Sequence, residues 1–177
     1  MERRNFLKTV AAILPFGFAA KCFGTKPAES YSKKEFFVNI IQVDKLNGNS
    51  RIYPRKVIEK VVDDFQKSLD SERGTSFYGE FFTAEDMRKS QNKSIVVFSN
   101  ISHSIEELFI SGDCLFARIK ILDTPRGKIL SDLCKEGKIC FRPRGVCSIF
   151  ADNGIKMIKD FKLISVDALL ESEAACL

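Results

Sequence analysis

The chain has 177 residues, 45% of them hydrophobic, which is enough to bury one core and makes one folded domain the natural count. Its formal net charge of +5 sits in residues 1–34, where seven Lys/Arg face two Asp/Glu, whereas residues 35–177 carry twenty-one of each. The folded part is neutral, so composition makes no case for an electrostatic footprint on DNA or RNA. Six cysteines (Cys22, Cys114, Cys134, Cys140, Cys147, Cys176) form no C-x-x-C pair, and the only histidine is His103. That excludes an ordinary zinc site, and no cofactor is expected. The scattered cysteines are expected to be reduced thiols used in packing.

Residues 1–34 form a basic leader and linker, and the domain is expected to occupy 35–177. Arg3-Arg4-Asn5-Phe6-Leu7-Lys8 resembles the twin-arginine export motif, and the apolar run Val10 to Ala20 suits a signal h-region. That run is too short, and too broken by Pro15 and Gly17, to span a bilayer. Export to the periplasm is one reading of this leader; a basic arm that merely looks like a signal is the other.

Phe36 to Val43 is rich in Phe, Val and Ile and predicts a buried strand. After the turn at Asn47-Gly48-Asn49, Pro54 opens a helix in which Val57, Ile58, Val61, Val62, Phe65 and Leu69 make one apolar stripe. Ser76 to Phe82 reads as a short strand. Ile105–Ile110 and Cys114–Leu122 are expected to pair as a hairpin about Ser111-Gly112-Asp113. In the second arm Leu115, Ala117, Ile119 and Ile121 share the inner face. Asp123-Thr124-Pro125 caps a second helix, with Ile129, Leu130, Leu133 and Cys134 facing inward and Gly137 ending it. Lys138–Phe150 and Ile155–Leu170 are two further strands joined by Asp152-Asn153-Gly154. The sum is an α+β domain, a mostly antiparallel β-barrel flanked by helices.

The order of these segments resembles the prohead proteases of tailed phages, which mature capsids and share the fold of the herpesvirus assemblins. The resemblance runs from Asn47 to Ala175. Asn47-Gly48-Asn49-Ser50-Arg51-Ile52-Tyr53-Pro54 is similar to the family's Asn-x-Asn-x-Arg-x-Tyr-Pro motif. Gly79-Glu80, Ser102-His103, Gly112-Asp113, Ile121-Leu122-Asp123-Thr124-Pro125, Arg144-Gly145 and Ile164-Ser165-Val166-Asp167 follow in order.

The resemblance implies a serine peptidase, yet both halves of its proton-transfer pair depart from the pattern. The family's Gly-Val-Ser-Ser-Arg-Gly strand is matched by Cys140-Phe141-Arg142-Pro143-Arg144-Gly145, with Arg142-Pro143 where the serines belong. The family's Gly-Glu-Leu-x-His-Pro segment is matched by Gly79 to Ala84, with Thr83 at the histidine's place. Threonine cannot act as a base near neutral pH, proline has no reactive side chain, and a protonated arginine is no nucleophile. The substitute pair would be Cys140 as nucleophile and His103 as base, with Asp167 as the orienting acid. The plain alternative is that Cys140 is a buried thiol and His103 a hydrogen-bonded strand residue. Arg142 and Arg144 share a strand face and could grip a carboxylate or phosphate, or each could pair with an acid such as Glu80 or Asp167.

The expected function is a capsid assembly and maturation protein with degenerate chemistry, binding scaffold or capsid proteins in the prohead and host cytoplasm. An active Cys140/His103 peptidase and an exported protein reusing the same barrel are the rival readings. Whether copies associate is left open by the sequence.

Overall fold

The computed structural model describes residues 34–71, 75–83, 86 and 94–170. The leader, and with it the twin-arginine-like motif and the h-region, lies outside them. The first strand, β1 (Glu35–Gln42), is followed by the two-residue β2 (Arg51–Ile52) and by α1 (Arg55–Leu69). Then come β3 (Phe77–Phe82), a 3-10 turn at Phe98–Asn100, β4 (Ile101–Ser111) and β5 (Cys114–Ile121). The last elements are α2 (Pro125–Lys135), β6 (Ile139–Asp152) and β7 (Ile155–Leu170). Among the described residues no helix is long and apolar enough to cross a membrane.

The strands make one curled sheet in the order β1-β5-β4-β3-β7-β2, with β6 on the other edge of β7. Most pairings are antiparallel, but β2 and β3 both join β7 in parallel. Period-two patterning cannot announce such a junction, because it shows which face is buried and not which strand is the neighbour. The sheet curls until Phe36 of β1 meets Phe141 of β6 edge-on, ring centroids 5.7 Å apart. No ladder joins those two strands among the described residues, so the expected barrel is a curled sheet whose ends meet through side chains and not through hydrogen bonds.

The expected hairpins form. Leu115, Ala117 and Ile119 are fully buried beside Ile121, and Asn153 and Gly154 take the left-handed conformations that a tight turn needs (φ 47° and 81°). The apolar stripe of α1 places Ile58, Val61 and Phe65 in the main core with Val43, Ile105 and Val166. In α2 the inward face differs from the expectation. Gly127, Leu130 and Cys134 are buried, whereas Ile129 is 48% exposed. Gly127 sets that face: a Cβ there would collide with the Leu122 carbonyl and crowd that of Ser102. The helix therefore rests on its glycine, and the Thr124 hydroxyl caps it by accepting from the Gly127 N–H at 2.9 Å.

Candidate functional site

The site lies where β3, β4, β6 and β7 converge. Between Gly79 and Glu80 the β3–β4 register slips by one residue, Gly79 pairing with His103 and Glu80 with Ile101. Ser102 is the extra residue of this bulge. The β3–β7 ladder pairs only Phe81 and Phe82 with Ala168 and Leu169, so the Val166 carbonyl of β7 lies beyond it and needs another partner. His103 supplies one by crossing over Gly79, where any Cβ would overlap the imidazole, to place Nε2 2.8 Å from the Val166 carbonyl. A carbonyl only accepts, so Nε2 carries the proton, and Nδ1 accepts from the Ser102 hydroxyl at 2.8 Å.

Both Ser102 and His103 are fully buried. Burial holds the imidazole well below its ordinary value, at about 4, although the Val166 carbonyl favours the proton. His103 is thus neutral at physiological pH. Serine, imidazole and an orienting oxygen in sequence have the form of a hydrolytic relay, but this one has no opening through which a substrate could approach. Ser102, Gly79 and Val166 were not singled out as partners of His103 by sequence reasoning. The signal was present in the adjacency of Ser102-His103 and in the solitary Gly79 of an otherwise bulky strand.

Cys140 does not share that chamber. The ring of its neighbour Phe141 meets the His103 ring edge-on at 5.4 Å, so alternation turns Cys140 and Arg142 to the opposite face of β6. In the register Cys140 stands opposite Leu169, Arg142 opposite Asp167 and Pro143 opposite Val166. The Val166 carbonyl points toward β3 and His103, away from β6. Pro143 therefore occupies a position where no N–H is asked of it, which lets a proline stand inside this strand.

The opposite face is organised by Arg144. Its Nε donates to Asp167 at 2.7 Å, one Nη bonds Glu80 and reaches Asp167 at 3.3 Å, and the other donates to the Ile95 carbonyl at 2.7 Å. The guanidinium also lies 5.5 Å from the centre of the Phe82 ring. Glu80 accepts in addition from the Val97 N–H at 2.9 Å, and Asp167 from the Glu80 N–H and the Ser165 hydroxyl. Glu80 and Asp167 are almost wholly buried, with Arg144 only 13% exposed in its side chain. Burial pushes both carboxyls above their ordinary values, against the pull of Arg144. The β6–β7 register shifts between Arg144 and Gly145, and a Cβ on Gly145 would overlap the Lys162 carbonyl and Phe161.

Of the residues singled out for binding, Glu80 and Arg144 are thus joined to each other and to Asp167. The nitrogens of Arg144 are engaged within the protein, not presented together as an anion grip. Arg142 is half-buried beside them. Thr83 exchanges bonds with Asp86: its N–H and hydroxyl donate to the carboxylate at 3.0 and 2.8 Å, and its oxygen accepts from the Asp86 N–H at 3.3 Å. Asp86 in turn pairs with Arg126 of α2 at 3.1 Å.

A curled, mostly antiparallel sheet with two helices thus brings the Gly-Glu strand and the Arg-Gly strand together through Glu80 and Arg144. The sequence profile of the prohead core protein serine proteases matches residues 20–176, and the chain belongs to that family. Among solved structures, the bacteriophage T4 capsid assembly protease gp21 is similar, with a TM-score of 0.62 over 77% of this chain and 81% of that one. The two are 20% identical, a likeness of fold. No curated protein gives a match. The profile starts inside the leader, beyond the twin-arginine-like motif.

Proposed function

We propose that the chain is a catalytically degenerate member of its family, taking part in capsid assembly by holding scaffold or capsid protein segments without cutting them. The observation that carries this reading is the pair of substitutions in matched motifs, Thr83 at the histidine's seat and Arg142-Pro143 at the serine's. The surroundings support it. Thr83 is spent on Asp86, and Arg144 is locked between Glu80 and Asp167. His103 is sealed over Gly79, on the other face of the sheet from Cys140. A cysteine becomes a nucleophile when a base or cation lowers its pKa, and His103 is not placed to do so.

The place of action implied by the family is the prohead and the host cytoplasm. The test is chemical reactivity beside binding. Cys140 should alkylate with iodoacetamide no faster than a free model thiol, and a fluorophosphonate should label no serine. The chain should nonetheless co-purify with its co-expressed scaffold protein. Rapid, selective labelling of Cys140 that His103→Gln abolishes would instead establish the variant peptidase.

A further inference from the structure

The β6–β7 hairpin continues well past the site, and its far half carries a surface that the site does not use. Register places Val146 opposite Lys162, Ser148 opposite Asp160 and Phe150 opposite Met157 on one face, with Ile155 following at the turn. The other face packs Ile158, which is fully buried, and Phe161, which meets Tyr53 edge-on at 5.7 Å, and only Ile149, at 45%, is exposed among its large apolar side chains. On the outer face Val146 is 56% exposed, Phe150 52%, Met157 43% and Ile155 41%. Four large apolar side chains gathered on one face of a ribbon are more than scattered surface hydrophobics.

The charge around them has one sign in excess. Lys159, the extra residue of the Ser148/Ile149 bulge, holds its ammonium 4.8 Å from the centre of the Phe150 ring. Lys162 stands beside Val146, and neither lysine has an acid partner among the described residues. Asp160 is within electrostatic reach of Lys60 on α1, whose ammonium is itself paired with Asp64, so the two lysines outnumber one acid on this face. An apolar strip edged by unanswered cations is complementary to a segment bearing apolar and acidic side chains.

We propose that this outer face of the distal hairpin is a docking surface for an acidic, apolar protein segment. A protein is favoured over a lipid surface because the strip holds Ser148 and Asp160 within it and lacks the dense basic cluster that anionic membranes recruit. The surface lies at the other end of the hairpin from Arg144, so it does not depend on whether the site cuts.

The test is selection of a displayed random dodecapeptide library on the full chain. Enriched peptides should combine Asp or Glu with large apolar residues. A Phe150→Ser/Met157→Ser variant should bind them roughly tenfold or more weakly, with an unchanged melting temperature because both side chains are exposed. Lys159→Glu/Lys162→Glu, which leaves the apolar strip intact, should reject the same peptides. The proposal is overturned if nothing enriches, if the enriched peptides lack acids, or if either variant binds them undiminished. It is equally overturned if the strip is occupied by phosphatidylglycerol vesicles or by a second copy in preference to the peptides.

Discussion

His103 occupies the space that a side chain on Gly79 would need. The glycine and the histidine are register partners on β3 and β4, and the imidazole passes over the glycine to reach the Val166 carbonyl of β7. One side chain thereby ties three strands together at the point where the regular ladder fails. Gly79→Ala must displace the ring or the strand, and should destabilise the protein by about 1–3 kcal/mol, the ordinary cost of overpacking. Gly79→Ala and His103→Ala combined should cost less than the sum of the two, measured by urea denaturation, because both act on the same contact.

The same burial makes stability depend on pH. The unfolded imidazole titrates near its ordinary 6.5 while the folded one waits until about 4. Between those values the unfolded chain takes up a proton that the native state refuses. Stability is therefore complete above the unfolded value and falls as the pH drops toward 4, by about 3 kcal/mol in all. Glu80 and Asp167 act in the opposite sense. Their raised values favour the fold at low pH, and that contribution fades as the pH climbs through them. Comparing denaturation of wild type and His103→Gln across this range isolates the histidine, and the variant should show a flatter acid limb.

Arg144→Met leaves two buried carboxyls facing each other without a cation. Breaking a buried ion pair on one side typically costs about 3–5 kcal/mol. The loss should be smaller at mildly acidic pH than at neutral pH, since protonating Glu80 or Asp167 relieves the uncompensated charge. The variant should also release the Ile95–Val97 segment, which Arg144 and Glu80 hold through its backbone, and amide hydrogen exchange at Val97 should accelerate.

Thr83→Ala removes the hydroxyl that Asp86 exchanges bonds with, and should cost about 1 kcal/mol of thermal stability. Thr83→His should not create activity, because Arg142 and Pro143 still fill the nucleophile's place. Peptide hydrolysis appearing in that single variant would show that the nucleophile lies elsewhere.

Much of this was legible in the sequence for reasons that can be named. Alternation in Cys114–Ile121 and the stripe of α1 report burial directly, and tight turns announce themselves through Asn-Gly and Gly-Asp pairs. The motif order reached the family, and the Gly-Glu and Arg-Gly motifs supplied Glu80 and Arg144. What stayed hidden were relations between distant strands. That Phe141, and not Cys140, faces His103 depends on how β6 meets the far side of the sheet. That Ile129 is exposed depends on Gly127 resting against carbonyls of other segments. The pairing of Arg144 with an acid such as Glu80 or Asp167 was one of the two readings the sequence offered; that one guanidinium holds both depends on the parallel junction of β3 with β7, for which local pattern carries no signal.

The proposed loss of catalysis predicts that the chain cuts no peptide bond of its partners. The direct measurement is intact-mass spectrometry of the purified chain after incubation with its cognate scaffold and capsid precursor, beside a Cys140→Ala control. The predicted result is unchanged masses for every component in both samples. New termini on scaffold or capsid protein that appear with the wild-type chain and vanish with Cys140→Ala would contradict it.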